Sequence, residues 1–344
     1  MDTFTALPTA EREAYFQQAA ANLGLPPQVI EKDFWVCWTL KRLFALETVK
    51  DALLFKGGTS LSKAFGLIRR FSEDIDLSIH RASLGFEGET DPANLTGKPF
   101  KKMNEALGEA ARKKVFGKIQ PELESAIRDQ LGSEDWRLAA DPTDPEGQSL
   151  AFTYPATRLT PSATAYLRPA VKIEFGARAD HEPSERRSVR PYLADALPDA
   201  LGTPGTEVKV ISAVRTFWEK ATILHQMAHL APEKPFPVRY SRHYCDLAAM
   251  IAAGIGDEAS RADALLAKVV EHKTAFYFAK WASYKTAVRG TLRLLPPAAR
   301  IRELAGDLES MREMFFDAPP KIESVMATLA AWEGAFNQIN EEPK

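Results

Sequence analysis

The stretch Phe71-Ser72-Glu73-Asp74-Ile75-Asp76-Leu77-Ser78-Ile79 constrains this chain more than any other. Read at the two-residue period of a strand, Ile75, Leu77 and Ile79 share one face, while Ser72, Asp74, Asp76 and Ser78 share the other. The apolar face calls for a sheet with a covered side. The Asp74 and Asp76 Cα atoms lie ~6.6 Å apart on such a strand, close enough for both carboxylates to lean onto one divalent cation or a close pair of cations. Without a cation the two repel each other. Just upstream, Phe55-Lys56-Gly57-Gly58-Thr59-Ser60-Leu61-Ser62-Lys63 is an apolar run ending in a glycine turn rich in hydroxyls. A glycine pair lets backbone amides approach an anion without Cβ obstruction, and a helix expected from Thr59 to about Ile68 adds N–H groups of its own. Gly57, Gly58, Thr59 and Ser60 are therefore candidates for a phosphate cradle beside a metal site.

Around this centre the chain reads as alternating helix and strand, then mostly helix. Helices are expected from Thr9 to Gly24, from Gln28 to about Leu46, and from Phe100 to about Leu131 with an interruption at Pro121. Glu31-Lys32-Asp33 in the second reads as a solvated charge run, with Lys32 reaching toward a nucleotide as the sharper alternative. The basic residues of the third read as a solvated face balanced by Glu105, Glu109, Glu122, Glu124 and Asp129, with one basic face toward a polyanion as the sharper alternative. Residues 82 to 97 read as an exposed loop. Strands are expected at Asp51 to Lys56, Trp136 to Ala140, Leu150 to Thr157, Arg168 to Arg178, Ser188 to Leu193 and Glu207 to Ile211. In Val171-Lys172-Ile173-Glu174-Phe175 the apolar residues alternate with Lys172 and Glu174, so Glu174 is a candidate third carboxylate. A Pro- and Gly-rich stretch near 198 to 205 suggests a boundary between residues 1–205, two helices and a mixed-sheet core, and residues 206–344, a mainly helical domain. In the latter, Phe217, Ala221, Leu224 and Ala228 form a helical stripe beside Lys220. Arg239, Arg242 or His243, and Asp246 fall on successive turns of a following helix.

Composition narrows the function classes. A net charge of -2 over 344 residues gives no general attraction to nucleic acid, so a polyanionic partner needs a local patch. Cys37 and Cys245 sit in apolar, helix-like sequence and suggest neither a disulfide framework nor a thiolate zinc site. His225 and His229 are spaced like a zinc pair but lack an accompanying ligand, and read as structural. No leader pattern and no apolar run of ~18 residues is evident, so a cytoplasmic protein without membrane contact is expected.

Phosphoryl and nucleotidyl transfer ask little covalent chemistry of a protein. They need cations on the attacking and leaving oxygens and donors for the phosphates. Asp74, Asp76 and Glu174 are suited to hold two metal ions, the glycine turn to hold the terminal phosphates, and Lys220 with Arg239 or Arg242 to add charge. Hard oxygen ligands make Mg²⁺ the expected ion and a nucleoside triphosphate (NTP) the expected donor.

Six segments in order, Glu31-Lys32-Asp33, Lys56 to Lys63, Arg70 to Leu77, Lys172-Ile173-Glu174, Glu219-Lys220 and Arg242 to Leu247, resemble the AbiEii/AbiGii (MenT-type) toxin family. That family lies within the DNA polymerase β-like nucleotidyltransferase superfamily. The resemblance runs from about residue 28 to 250; Cys245 stands where the family often has an aromatic. It implies an α/β (α+β) fold with a polymerase β-like core and a helical C-terminal region. It implies Mg²⁺, an NTP donor, transfer of NMP to an RNA acceptor at the tRNA 3′ end with a block of translation, and a cognate antitoxin protein. Position by position, it implies metal binding by Asp74 and Asp76 and phosphate binding by Gly57, Gly58 and Ser60, with Lys63 in the same nucleotide- and phosphate-binding set. Lys220 would contact the triphosphate, and Asp246 would complete the polar site near Arg239 and Arg242. Two alternatives stay open: nucleotidyl transfer to a protein hydroxyl or small molecule, and a non-catalytic nucleotide-binding partner protein. Ser72, on the Asp face, is a possible regulatory phosphorylation site.

Overall fold

A computed structural model describes residues 1–49, 51–133, 135–159 and 168–338. They divide into two compact units, the first comprising Met1–Ala64 with Ser72–Val210, the second Phe65–Phe71 with the described residues from Ile211 onward.

In the first unit, α1 (Asp2–Thr5), α2 (Thr9–Leu23) and α3 (Pro27–Leu43) lead into β1 (Leu53–Lys56), α4 (Gly57–Lys63) and β2 (Ile75–Ile79). Helices α5 (Gly97–Lys114) and α6 (Gln120–Leu131) are separated by a wider π turn, Val115–Ile119. The break thus precedes Pro121, which opens α6 at a position where no amide partner is needed. Then come β3 (Arg137–Ala140), β4 (Ser149–Thr153), β5 (Ala170–Gly176), β6 (Ser184–Val189), α7 (Tyr192–Ala196) and β7 (Thr206–Ile211). Residues 188 to 193, expected as one strand, instead end β6 and, after Pro191, begin α7. Proline fixes the turn from which that helix starts. The expected loop at 82 to 97 contains three short 3₁₀ turns.

Among the described residues, seven strands form one mixed sheet in the order β3-β4-β5-β2-β1-β7-β6. β2 lies at its centre, antiparallel to β1 and parallel to β5. Ile75, Leu77 and Ile79 are wholly buried, as are Val171 and Ile173 of β5. Helix α3 supplies Phe34, Trp35 and Trp38 to the core, with Trp35 stacked on Tyr154 and Trp38 on Phe152. The mixed sheet with many helices is the expected α+β class.

The second unit is helical: α8 (Ala213–Ala228), α9 (Ser241–Ala252), α10 (Ile255–Ser260), α11 (Asp263–Phe276), α12 (Ile301–Ser310) and α13 (Ile322–Asn337). Ser212 caps α8 by accepting from the Arg215 amide. Phe217 and Trp218 of α8 pack against Trp332 and Phe336 of α13. The stretch 65–71 joins this unit through its backbone: the Phe71 amide donates to the Met314 carbonyl at 2.6 Å, and Arg70 bridges Phe315 antiparallel. Both cysteines are buried thiols, and among the described residues no helix is long and apolar enough to cross a membrane.

Candidate active site

The carboxylate centre is built on neighbouring strands. Asp74 immediately precedes β2, so the strand begins at Ile75, three residues later than the alternation from Ser72 predicts, and Asp76 is its second residue. In register, Asp76 stands opposite Lys56 of β1 and opposite Glu174 of β5. The sheet therefore brings all three predicted carboxylates to one region. Lys56 Nζ lies 3.9 Å from Asp76 Oδ1, and Lys172 Nζ lies 2.7 Å from Glu174 Oε1. Lys32 pairs with Glu73.

Burial pushes the Asp74 carboxyl up to about 6, helped by the negative charges of Glu73, Asp76 and Glu174 and opposed by Lys32. This region is short of positive charge, and its donors are hard oxygens suited to a divalent cation. Among the described residues no group of three His, Cys, Asp or Glu side chains is placed to hold a metal ion. A Mg²⁺ ion does not require one, because it commonly takes one or two carboxylates and completes its octahedron with water and substrate phosphates. Asp74 and Asp76 fit that demand.

The glycine turn serves the carboxylates before it serves any phosphate. The helix begins at Gly57, two residues earlier than expected. Gly57 has φ +81°, and a Cβ built there would lie 1.9 Å from Asp76 Oδ2. Its missing side chain is what admits the Asp76 carboxylate. Thr59 and Ser60 are wholly buried. The Thr59 hydroxyl donates to the Asp74 carbonyl at 2.5 Å and lies 2.9 Å from Ser72 Oγ, and the Ser60 hydroxyl donates to the Gly57 carbonyl at 2.8 Å. Both hydroxyls thus bond within the turn and to the segment leading into β2. Ser72 is half-buried and belongs to this network. Lys63, at the end of α4, is engaged by Asp33 Oδ1 at 2.7 Å and lies 3.6 Å from the Tyr192 ring centre. Burial alone would lower its pKa, but Asp33 holds it above the ordinary lysine value.

Glu31-Lys32-Asp33 is a correction to the solvated-face expectation, since all three are buried. Each has a partner, as a buried charge must. Glu31 accepts from the Thr157 amide at 2.7 Å and its hydroxyl at 3.0 Å, Lys32 meets Glu73, and Asp33 meets Lys63 and the Tyr192 amide. The outward-looking run thus anchors four separate segments. Tyr192 was hidden because its segment reads as a strand.

In the second unit Asp246 is almost wholly buried and takes both prongs of Arg70, each at 2.8 Å, plus Lys220 Nζ at 2.8 Å. Burial works to raise its carboxyl, but Arg70 and then Lys220 overcome that and hold it well below the carboxylate range. Burial lowers Lys220, with Asp246 opposing and Arg70 reinforcing. Arg70 is not among the candidate site residues read from the sequence; its place in the Arg70 to Leu77 motif is the available signal. Arg242, half-buried on α9, adds positive charge toward Lys220. Arg239 is a correction: it precedes the helix at φ +63°, and its amide donates to Asp307, which also accepts from the Ser241 amide and hydroxyl. Asp307 thereby does the work of a helix cap, so Arg239 is not on a helical turn with Arg242 and Asp246. His225 accepts from the Arg293 amide at Nδ1 and donates from Nε2 toward Ser283 and Thr286, a structural tie.

The chain matches the family described as "Nucleotidyl transferase AbiEii toxin, Type IV TA system" over residues 38–337. Among solved structures it is similar to MenT4, nucleotidyltransferase toxin Rv2826c from Mycobacterium tuberculosis H37Rv, at 15% identity and a TM-score of 0.36, covering 89% of this chain and 100% of that one. No curated protein matches it significantly. The family match spans most of the chain and contains both the carboxylate centre and the Arg70–Asp246–Lys220 cluster, and on that match the chain belongs to the AbiEii nucleotidyltransferase toxins of toxin–antitoxin systems.

Proposed function

We propose that this toxin is a Mg²⁺-dependent enzyme that transfers NMP from an NTP to an RNA acceptor, the tRNA 3′ end, and so blocks translation. The observation that carries the metal-dependent part is the carboxylate cluster of Asp74, Asp76 and Glu174, deficient in positive charge and set against the Gly57 backbone. Bound at Asp74 and Asp76, divalent cations supply Lewis-acid stabilisation of the attacking and leaving oxygens. In this reading Asp74 and Asp76 are the metal ligands, and Glu174, paired to Lys172, adjusts the local charge or joins them. The Gly57 and Gly58 backbone faces the phosphates, while the Thr59 and Ser60 hydroxyls hold the turn in shape. Lys63 fixes α4 to α3 through Asp33. Lys220 is the triphosphate contact carried by the family resemblance, poised by Asp246 and Arg70, with Arg242 adding charge. In the reaction, an acceptor hydroxyl attacks the α-phosphorus, its proton is lost, and pyrophosphate leaves.

The family resemblance supports the RNA acceptor and a cognate antitoxin protein, and the buried free thiols of Cys37 and Cys245 are consistent with a cytoplasmic setting. Incubation with each labelled NTP, Mg²⁺ and total tRNA tests the reading. Label in RNA, lost in Asp76→Ala, supports it. Label in a protein band moves the acceptor to a protein hydroxyl, and silence with every nucleotide, together with no pyrophosphate release, overturns the enzymatic reading.

A further inference from the structure

From His272 to Arg302 the chain has no Asp or Glu, and it carries seven Lys or Arg in those 31 residues although the whole protein has a net charge of -2. The basic residues of α5 and α6 present a contrast, since Arg112 pairs with Glu109 and Arg128 with Glu124 along the same helices. Within this acid-free run, three large rings face outward in five residues: Tyr277 is 44% exposed, Phe278 73% and Trp281 42%. Single exposed apolar residues are ordinary, but neighbouring exposed aromatics mark an interaction surface. Lys280 and Lys285 are exposed in the same stretch, exposed Arg293 is joined to it through His225, which meets Ser283, Thr286 and the Arg293 amide, and Lys273 Nζ lies 4.9 Å from the Tyr277 ring centre.

The rings are displayed from a fixed base. Ala282 and Tyr284 are buried, and the Tyr284 hydroxyl donates to Gln226 Oε1 at 2.6 Å. The His225 side chain holds the Ser283 carbonyl and the Thr286 hydroxyl, each at 3.1 Å, and accepts from the Arg293 amide at 3.0 Å. Half of the segment is thus tied to α8, and the other half presents rings and lysines to solvent.

We propose that the segment Tyr277 to Lys285, with Arg293, is a platform for unpaired nucleotides of an RNA strand. Every base offers a π-face to Tyr277, Phe278 and Trp281, and the phosphates between bases meet Lys280, Lys285 and Arg293. Aromatic rings interleaved with uncompensated cations complement a single strand, which alternates flat apolar bases with negative charge. This inference rests on the RNA-acceptor reading and adds where the second unit holds the strand.

The test uses the full-length chain without NTP and a fluorescein-labelled single-stranded RNA of about 12 nucleotides, followed by anisotropy. The double variant Phe278→Ala with Trp281→Ala weakens binding by about 30-fold or more, whereas Phe278→Tyr with Trp281→Phe, which keeps both rings, binds within about threefold of wild type. Lys280→Ala with Lys285→Ala lowers the slope of log affinity against log salt by about 1 to 2. All variants keep the wild-type melting temperature, since the altered side chains are exposed. Wild-type binding that the Phe278 and Trp281 truncations leave unchanged overturns the platform while the RNA acceptor stands. No RNA binding by wild type overturns both. A wild-type dimer in sedimentation that the truncations dissolve, with RNA affinity unchanged, makes this a self-association surface and also overturns the proposal. Polyglutamate bound as tightly as RNA, and insensitive to loss of the rings, does the same in favour of an acidic protein partner.

Discussion

Asp74, half-buried in the first unit, and Asp246, almost wholly buried in the second, are driven in opposite directions by their neighbours. Asp74 sits among Glu73, Asp76 and Glu174 with Lys32 as the opposing charge, and its carboxyl rises to about 6. Asp246 faces Arg70 and Lys220, and its carboxyl falls. Burial acts the same way on both, so the difference is set by the count and sign of nearby charges. The first arrangement is incomplete and calls for a cation. The second sets Arg70 and Lys220 against a single carboxylate, which ties both to α9 and leaves positive charge in excess. A buried carboxylate is therefore a functional signal only when its own neighbours fail to balance it.

The comparison breaks first at Asp246. Asp246→Asn leaves Arg70 and Lys220 buried without their counter-charge and is expected to destabilise the second unit by about 3 to 5 kcal/mol, read by urea unfolding. Because the folded carboxyl lies below its unfolded value of 3.8, the wild-type contribution is present above about pH 4 and fades as pH falls further. An unchanged midpoint in Asp246→Asn would show the cluster to be dispensable.

Asp74→Asn should act in the opposite sense on stability while removing activity. Its folded carboxyl, at about 6, binds a proton more tightly than the unfolded one at 3.8, so the metal-free protein loses stability as pH rises from about 4 to 6. Removing that charge is expected to raise stability by about 2 kcal/mol above pH 6 and to leave it unchanged below pH 4. Thermal melts in chelator check the gain. Added Mg²⁺ should then raise the melting temperature of wild type and not that of Asp74→Asn. Nucleotidyl transfer by the variant should fall by about a thousandfold. A variant both less stable and fully active would sink the assignment.

Gly57→Ala is expected to cost about 2 kcal/mol, from the left-handed backbone and from the displaced Asp76 carboxylate. The same change should weaken the Mg²⁺-dependent rise in melting temperature, whereas Gly66→Ala, also at positive φ but with open space around its Cβ, should leave that rise intact. Glu174→Gln is the smallest effect. It removes one of the negative neighbours of Asp74, so the pH window over which the metal-free protein loses stability should move downward, with a net change at pH 7 under about 0.5 kcal/mol. Melts across pH resolve the shift.

Much of the first unit was legible because its signals are local. Strand alternation at Ile75, Leu77 and Ile79 located the central strand, and the same pattern at Val171 to Phe175 located its neighbour. Glu31-Lys32-Asp33 could not be read this way. A charge run looks the same whether it meets water or partners, and its partners Thr157, Glu73, Lys63 and Tyr192 lie as far as 159 residues away. Thr59 and Ser60 are a similar case: composition records a hydroxyl, not that its hydrogen bond goes to the Asp74 or the Gly57 carbonyl. Arg239 failed because one residue at positive φ removes it from the helical period on which its placement depended.

By itself the sequence determined the chemistry available: two carboxylates one strand-period apart, a glycine turn before them, a third carboxylate on another apolar strand, and six motifs in family order. Tertiary structure decided which charges balance. Strand pairing set Asp76 beside Glu174, Gly57 opened the space that Asp76 fills, and Arg70 and Lys220 converged on Asp246. Electrostatic energy depends on distance through space and on burial, and neither is a property of residue order.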